Sequence, residues 1–94
     1  MQESTNKFNE TLFLVNNEPV MKTALEVLSK LENTSEIRIK GKGENCPAAV
    51  AVANIITENM LKGKSKTGKI IVDSEIDDTG YMISIIEIVI KKIN

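Results

Sequence analysis

The chain has 94 residues, 41% hydrophobic but only 3% aromatic, with a formal net charge of −1, one cysteine and no histidine. That composition gives one domain with an aliphatic core, near the size at which an added interface assists stability, and it excludes a disordered chain, an internal disulfide and the usual zinc patterns. The longest apolar run, Cys46 to Ala53, falls far short of the roughly 20 residues that cross a bilayer.

Charge is unevenly distributed: −3 over residues 1–37, +5 over 38–69 and −3 over 70–94. Acidic ends around a basic middle allow a cationic face on a chain that is acidic as a whole. Residues 1–10 are polar and lack the apolar stretch of a signal peptide, so a loose tail ahead of one domain at 11–94 is expected, in a soluble cytoplasmic protein.

Thr11 to Val15 is a run of β-formers and predicts a first strand. Asn16-Asn17-Glu18-Pro19 turns the chain, with proline suited to the first helical position. From Val20 to Leu31, Met21, Ala24, Leu25, Leu28 and Leu31 recur at helical spacing and predict one buried face. A second strand, Glu36 to Lys40, alternates Ile37 and Ile39 inward with Arg38 and Lys40 outward.

Gly41-Lys42-Gly43 then leads into a second helix, which Asn45 is placed to cap and which tolerates Pro47 in its first turn. Cations and free backbone N–H groups at one point suit phosphate. Between Cys46 and Ile56 the only polar residue is Asn54. A helix lying on one sheet needs a single apolar stripe, so the surplus implies a second copy of the chain as its cover.

Lys62 to Lys69 reads as a lysine-rich connection, Ile70 to Ile76 as a third strand, Asp77-Asp78-Thr79-Gly80 as a turn and Tyr81 to Ile93 as a final strand closing a hairpin. The fold class is therefore α+β: a two-layer β-α-β-α-β-β sandwich, a mixed four-stranded sheet with two helices and a right-handed crossover between the first two strands.

Several catalytic or ligand motifs fail. Gly63-Lys64-Ser65 echoes a P-loop, but the earlier glycine falls on Glu58 and a helix precedes it. The acids from Asp73 to Asp78 lack the glycine and glutamate of a calcium loop. Cys46 at a helix start has no histidine to act as base and reads as a small buried hydrophobe. No cofactor and no enzyme activity are expected.

Pro19-Val20-Met21, the strand from Ser35 to Lys40, Gly41-Lys42-Gly43 and the ending Ile86 to Lys92 together resemble the Alba family over residues 11 to 93. The resemblance implies a small dimeric archaeal chromatin protein, chromosome-associated, that binds double-stranded DNA, RNA or both, with a dimer built on the second helix and the final strands. It also implies departures. The family's lysine pair before Pro19 falls on Asn17 and Glu18, a further basic position falls on Glu44, and the long basic arm is shortened to the acidic turn Asp77 to Gly80. Asn16, Asn17, Lys22, Lys40, Lys42 and Asn45 remain as candidate nucleic-acid contacts. Fewer cations predict weaker or more selective binding than in basic relatives, since each lost phosphate contact flattens the salt dependence by about 0.9. The alternative is a protein-interaction module that kept the dimeric fold and lost the nucleic acid.

Overall fold

The computed structural model describes residues 10–93. The expected tail lies outside these residues except for Glu10, which opens the first strand. The elements are β1 (Glu10–Leu14), α1 (Val20–Leu31), β2 (Glu36–Lys42), α2 (Cys46–Ile55), β3 (Ser65–Ile76) and β4 (Met82–Lys92), with a short 3-10 turn at Gly43–Asn45 and a π-helical turn at Ile56–Met60. The sheet order is β1-β2-β4-β3. β1 and β2 are parallel, and β4 pairs antiparallel with both β2 and β3. This is the α+β architecture that the alternation of short strands with two helical segments predicts. Among the described residues no helix is long and apolar enough to cross a membrane.

The core lies between the helices and one sheet face. Ile37 and Ile39 from β2 and Ile88 and Ile90 from β4 meet Ala24, Val27 and Leu31 of α1 and Ala49, Val52 and Ala53 of α2. Strand alternation fixes this: the same period of two that buries Ile37 and Ile39 sends Arg38, Lys40 and Lys42 to the opposite, open face.

Several local expectations change, among them the end of β2, which runs to Lys42 and not Lys40. The buried face of α1 is rotated, for Thr23, Ala24, Val27 and Leu31 are buried while Met21 and Leu25 are more than half exposed. Thr23 can turn inward because its hydroxyl donates to the Pro19 carbonyl at 3.3 Å, so no unpaired polar group is buried. Pro19 accordingly sits one residue before the helix, at the N-cap, rather than at its first position. A further change is at β3, which begins at Ser65, inside the stretch expected to be a connection; a bulge between Thr67 and Ile70 accommodates Gly68 and Lys69.

Gly41 is buried between strand and helix. A Cβ there would lie 2.6 Å from the Asn45 carbonyl oxygen and 2.9 Å from Ala49 Cβ. Its role is therefore close packing of α2 on β2, not the approach of backbone to phosphate. Gly43, by contrast, has φ of +55°, a turn conformation that glycine alone adopts cheaply.

The last β2–β4 pair is Lys42 with Ile85, yet β3 and β4 continue through Ser74–Ser84, Glu75–Ile83 and Ile76–Met82. The hairpin is thus an arm projecting past β2, capped by the acidic turn, and not reduced to a turn as the sequence suggested.

Candidate nucleic-acid interface

Because β1 and β2 are parallel, their exits lie side by side, and the Val15 amide donates to the Lys40 carbonyl at 2.9 Å to hold them there. The β1–α1 turn, the β2–α2 turn, the N-terminal ends of both helices and the root of the hairpin arm all gather at this end of the sheet. The topology therefore brings Asn16, Asn17, Lys22, Lys42 and Asn45 to one place. Lys40 stands one alternation further in, on the open sheet face.

The turn is shaped by Asn16, whose side-chain oxygen accepts the Glu18 amide at 3.1 Å. Asn17 is exposed beside it. Asn45 does not cap α2 as expected: it lies in the 3-10 turn with helical backbone angles, and its side chain accepts no capping bond. Cys46 departs from the expected small buried hydrophobe. It is only half buried, with its sulfur 3.5 Å from the carbonyl oxygens of both Gly41 and Ser84, so it joins the exit of β2 to the hairpin.

Every candidate lysine at this end has a carboxylate from its own chain. Lys22 pairs with Glu18 at 3.4 Å, one helical turn away. Lys42 reaches Glu75 on the hairpin arm at 3.0 Å. Lys40 lies 3.8 Å from one oxygen of Glu87, and Arg38 lies 3.4 Å from the other. The last three charges form a half-buried cluster whose members are register neighbours on β2 and β4, Lys40 being directly opposite Glu87. Partial removal from water strengthens their attraction relative to a surface pair. A phosphate must therefore compete with these carboxylates for each lysine.

Glu75 and Glu87 are the functional groups that sequence reasoning missed. The alternation in β2 reveals which cations share a face. Only the strand register reveals which acids lie across from them.

The molecule's similarities follow the same lines. No curated protein matches the sequence. Among solved structures, Alba from Thermoplasma volcanium superposes with a TM-score of 0.77 at 28% identity, covering 86% of this chain and 99% of that one. An Alba protein from Trypanosoma brucei shares the fold, with a TM-score of 0.70 at 16% identity, covering 92% of this chain and 70% of that one. The sequence model of the Alba family matches residues 10–74. That span takes in β1, both helices, β2 and most of β3, including every candidate contact residue; the chain belongs to the Alba family.

Proposed function

We propose that this single-domain chain is a non-enzymatic, dimeric nucleic-acid-binding protein of archaeal chromatin or RNA assemblies, cytoplasmic and chromosome-associated, that holds DNA or RNA less tightly or more selectively than basic relatives do. Family membership supports nucleic-acid binding in general. The observation that carries the finer reading is the gathering of Asn16, Asn17, Lys22, Lys42 and Asn45 at the sheet end where both helices begin, with Lys40 on the adjoining face. Two helix N-termini add partial positive charge there. Weaker binding follows from the ion pairs, since each lysine must leave a carboxylate to meet a phosphate. The asparagines carry no charge and favour hydrogen bonding, through which bases and shape are read.

Dimerisation has separate support. α2 packs on β2 and β4, leaving the helix-side face of the outer hairpin uncovered. Ile70, Val72, Ile76 and Met82 share that face by register and are exposed, Val72 at 77%. Val50 of α2 is exposed as well. A contiguous apolar face of this kind calls for a partner, and a second copy satisfies it by two-fold symmetry.

The test is an electrophoretic shift series on duplex DNA, structured RNA and single strands at low and physiological salt, with wild type and Lys40→Ala/Lys42→Ala. The double variant should bind more weakly on every sequence, with a salt slope reduced by up to about two per subunit. A folded wild-type dimer that shifts none of these ligands at low salt refutes the reading in favour of the interaction module.

A further inference from the structure

Among the described residues, a group of lysines without ion pairs lies toward the other end of the sheet. Lys62, Lys64, Lys66, Lys69, Lys91 and Lys92 are all exposed, and among the described residues none forms an ion pair within 4.0 Å. They come from three segments and two faces: Lys66 and Lys91 stand on the open sheet face, while Lys92, one position on, lines a helix-side pocket with Leu28, Leu31, Leu61 and Glu32. Lys62 and Lys64 sit in the connection after the π-helical turn; Lys66 and Lys69 are on β3, and Lys91 and Lys92 end β4. The Ile93 amide donates to the Lys64 carbonyl at 2.8 Å and fastens the connection to the end of β4.

Two features make this more than scattered surface lysine. Lys66 is directly opposite Lys91 in the β3–β4 ladder, a like-charge pairing that destabilises a sheet when nothing neutralises it. Glu36, the other register partner of Lys91, forms no ion pair with it. The Lys91 side chain also lies over the β3 bulge: a Cβ at Gly68 would be 3.1 Å from Lys91 Cε and 3.4 Å from its Cγ. The bulge thus receives the stem of Lys91 and turns its charge toward β3, where Lys66 and Lys69 stand.

We propose that this lysine cluster is a second nucleic-acid contact, one that grips the phosphate backbone and is separate from the end where β1 and β2 finish. The inference rests on the reading that the chain binds nucleic acid. Repulsion between Lys66 and Lys91 is relieved by an acceptor that supplies several negative charges in a row, which a phosphodiester backbone does. Along β2, Lys40 and Lys42 stand four and six residues beyond Glu36, the register partner of Lys91, roughly 13 and 20 Å at the usual rise of a strand, so the two groups touch different phosphates. One subunit then carries a masked cationic end and an open one, and the open one supplies most of the salt-dependent affinity.

The experiment measures binding of a duplex DNA and a structured RNA across a salt series for wild type, Lys64→Ala/Lys66→Ala/Lys91→Ala, Lys40→Ala/Lys42→Ala, and the two combined, with melting temperature and sedimentation recorded for each. The triple variant should keep its fold and oligomeric state, since it removes a repulsion and no buried group. Its salt slope should shrink by about 0.9 for each lysine that touches phosphate. The losses of the two variants should add, because the sites are too far apart to couple. Wild-type binding with an unchanged slope in the triple variant overturns this contact alone. A wild type that binds neither ligand at low salt overturns the function reading and this contact with it.

Discussion

Asp77 and Asp78 stand side by side in the β3–β4 turn with the same charge and different tasks. The Asp77 carboxylate accepts the Thr79 hydroxyl at 2.6 Å, the Thr79 amide at 2.9 Å and the Tyr81 amide at 3.0 Å. These bonds, the Thr79 hydroxyl foremost and then the Tyr81 amide, favour the ionised form and hold the Asp77 carboxyl below its ordinary value of 3.8. Since the folded value lies below the unfolded one, the stabilisation is fully present above the unfolded value and disappears as pH falls through the folded one. Asp77→Ala should therefore lower the melting temperature at neutral pH, and the gap from wild type should close in strong acid; a gap independent of pH contradicts the assignment. Asp78 makes no such bonds among the described residues, so Asp78→Lys should leave the turn intact and steepen the salt dependence of nucleic-acid binding by about 0.9 per arm; an unchanged slope means that the turn does not reach the ligand.

At the scale of elements, α2 shows what hydrophobic content in a sequence does and does not reveal. The surplus of apolar residues from Cys46 to Ile55 is plain to read, but alanines on all sides blur the stripe, and the sequence leaves open which valine faces the sheet. The structure separates them: Val52 is fully buried in the core, while Val50 is 39% exposed. Val52→Glu should unfold the monomer, as an unpaired buried charge costs several kcal/mol, on the order of 3–5. Val50→Glu should leave secondary structure intact and shift sedimentation from dimer to monomer. A wild-type chain that sediments as a monomer at micromolar concentration defeats the dimer outright. In α1 the limits of residue lettering reappear. The span Val20–Leu31 is legible from its spacing, but an inward Thr23 is not, because its burial depends on a hydrogen bond to a carbonyl one turn earlier.

For the whole molecule, what the sequence leaves illegible is where its charges cancel. Strand alternation announces Arg38 and Lys40 as one row of cations; the structure extends the row to Lys42, since β2 runs past the expected end at Lys40, and the parallel pairing of β1 with β2 adds Asn16 and Asn17 beside it. The acids that answer them come from β3 and β4, more than 30 residues later in the chain, and depend on the pairing of β4 with β2 and on the hairpin register that brings β3 alongside. Removing those acids one at a time tests whether masking limits binding. The Lys42–Glu75 pair is half exposed, and surface pairs contribute only about 0–1 kcal/mol. Glu75→Gln should hence leave stability nearly unchanged while raising nucleic-acid affinity, since Lys42 then meets phosphate without first leaving a carboxylate. Glu87→Gln removes the charge that Arg38 and Lys40 share through one 3.4 Å hydrogen bond and one longer ion pair, so stability should fall more than in Glu75→Gln, by about 1 kcal/mol. Denaturant titration and the salt series, run on the same preparations, separate the two effects. If Glu75→Gln binds as wild type does at every salt concentration, Lys42 does not touch phosphate, and the exit of β2 is held together by its ion pair for the sake of the arm alone.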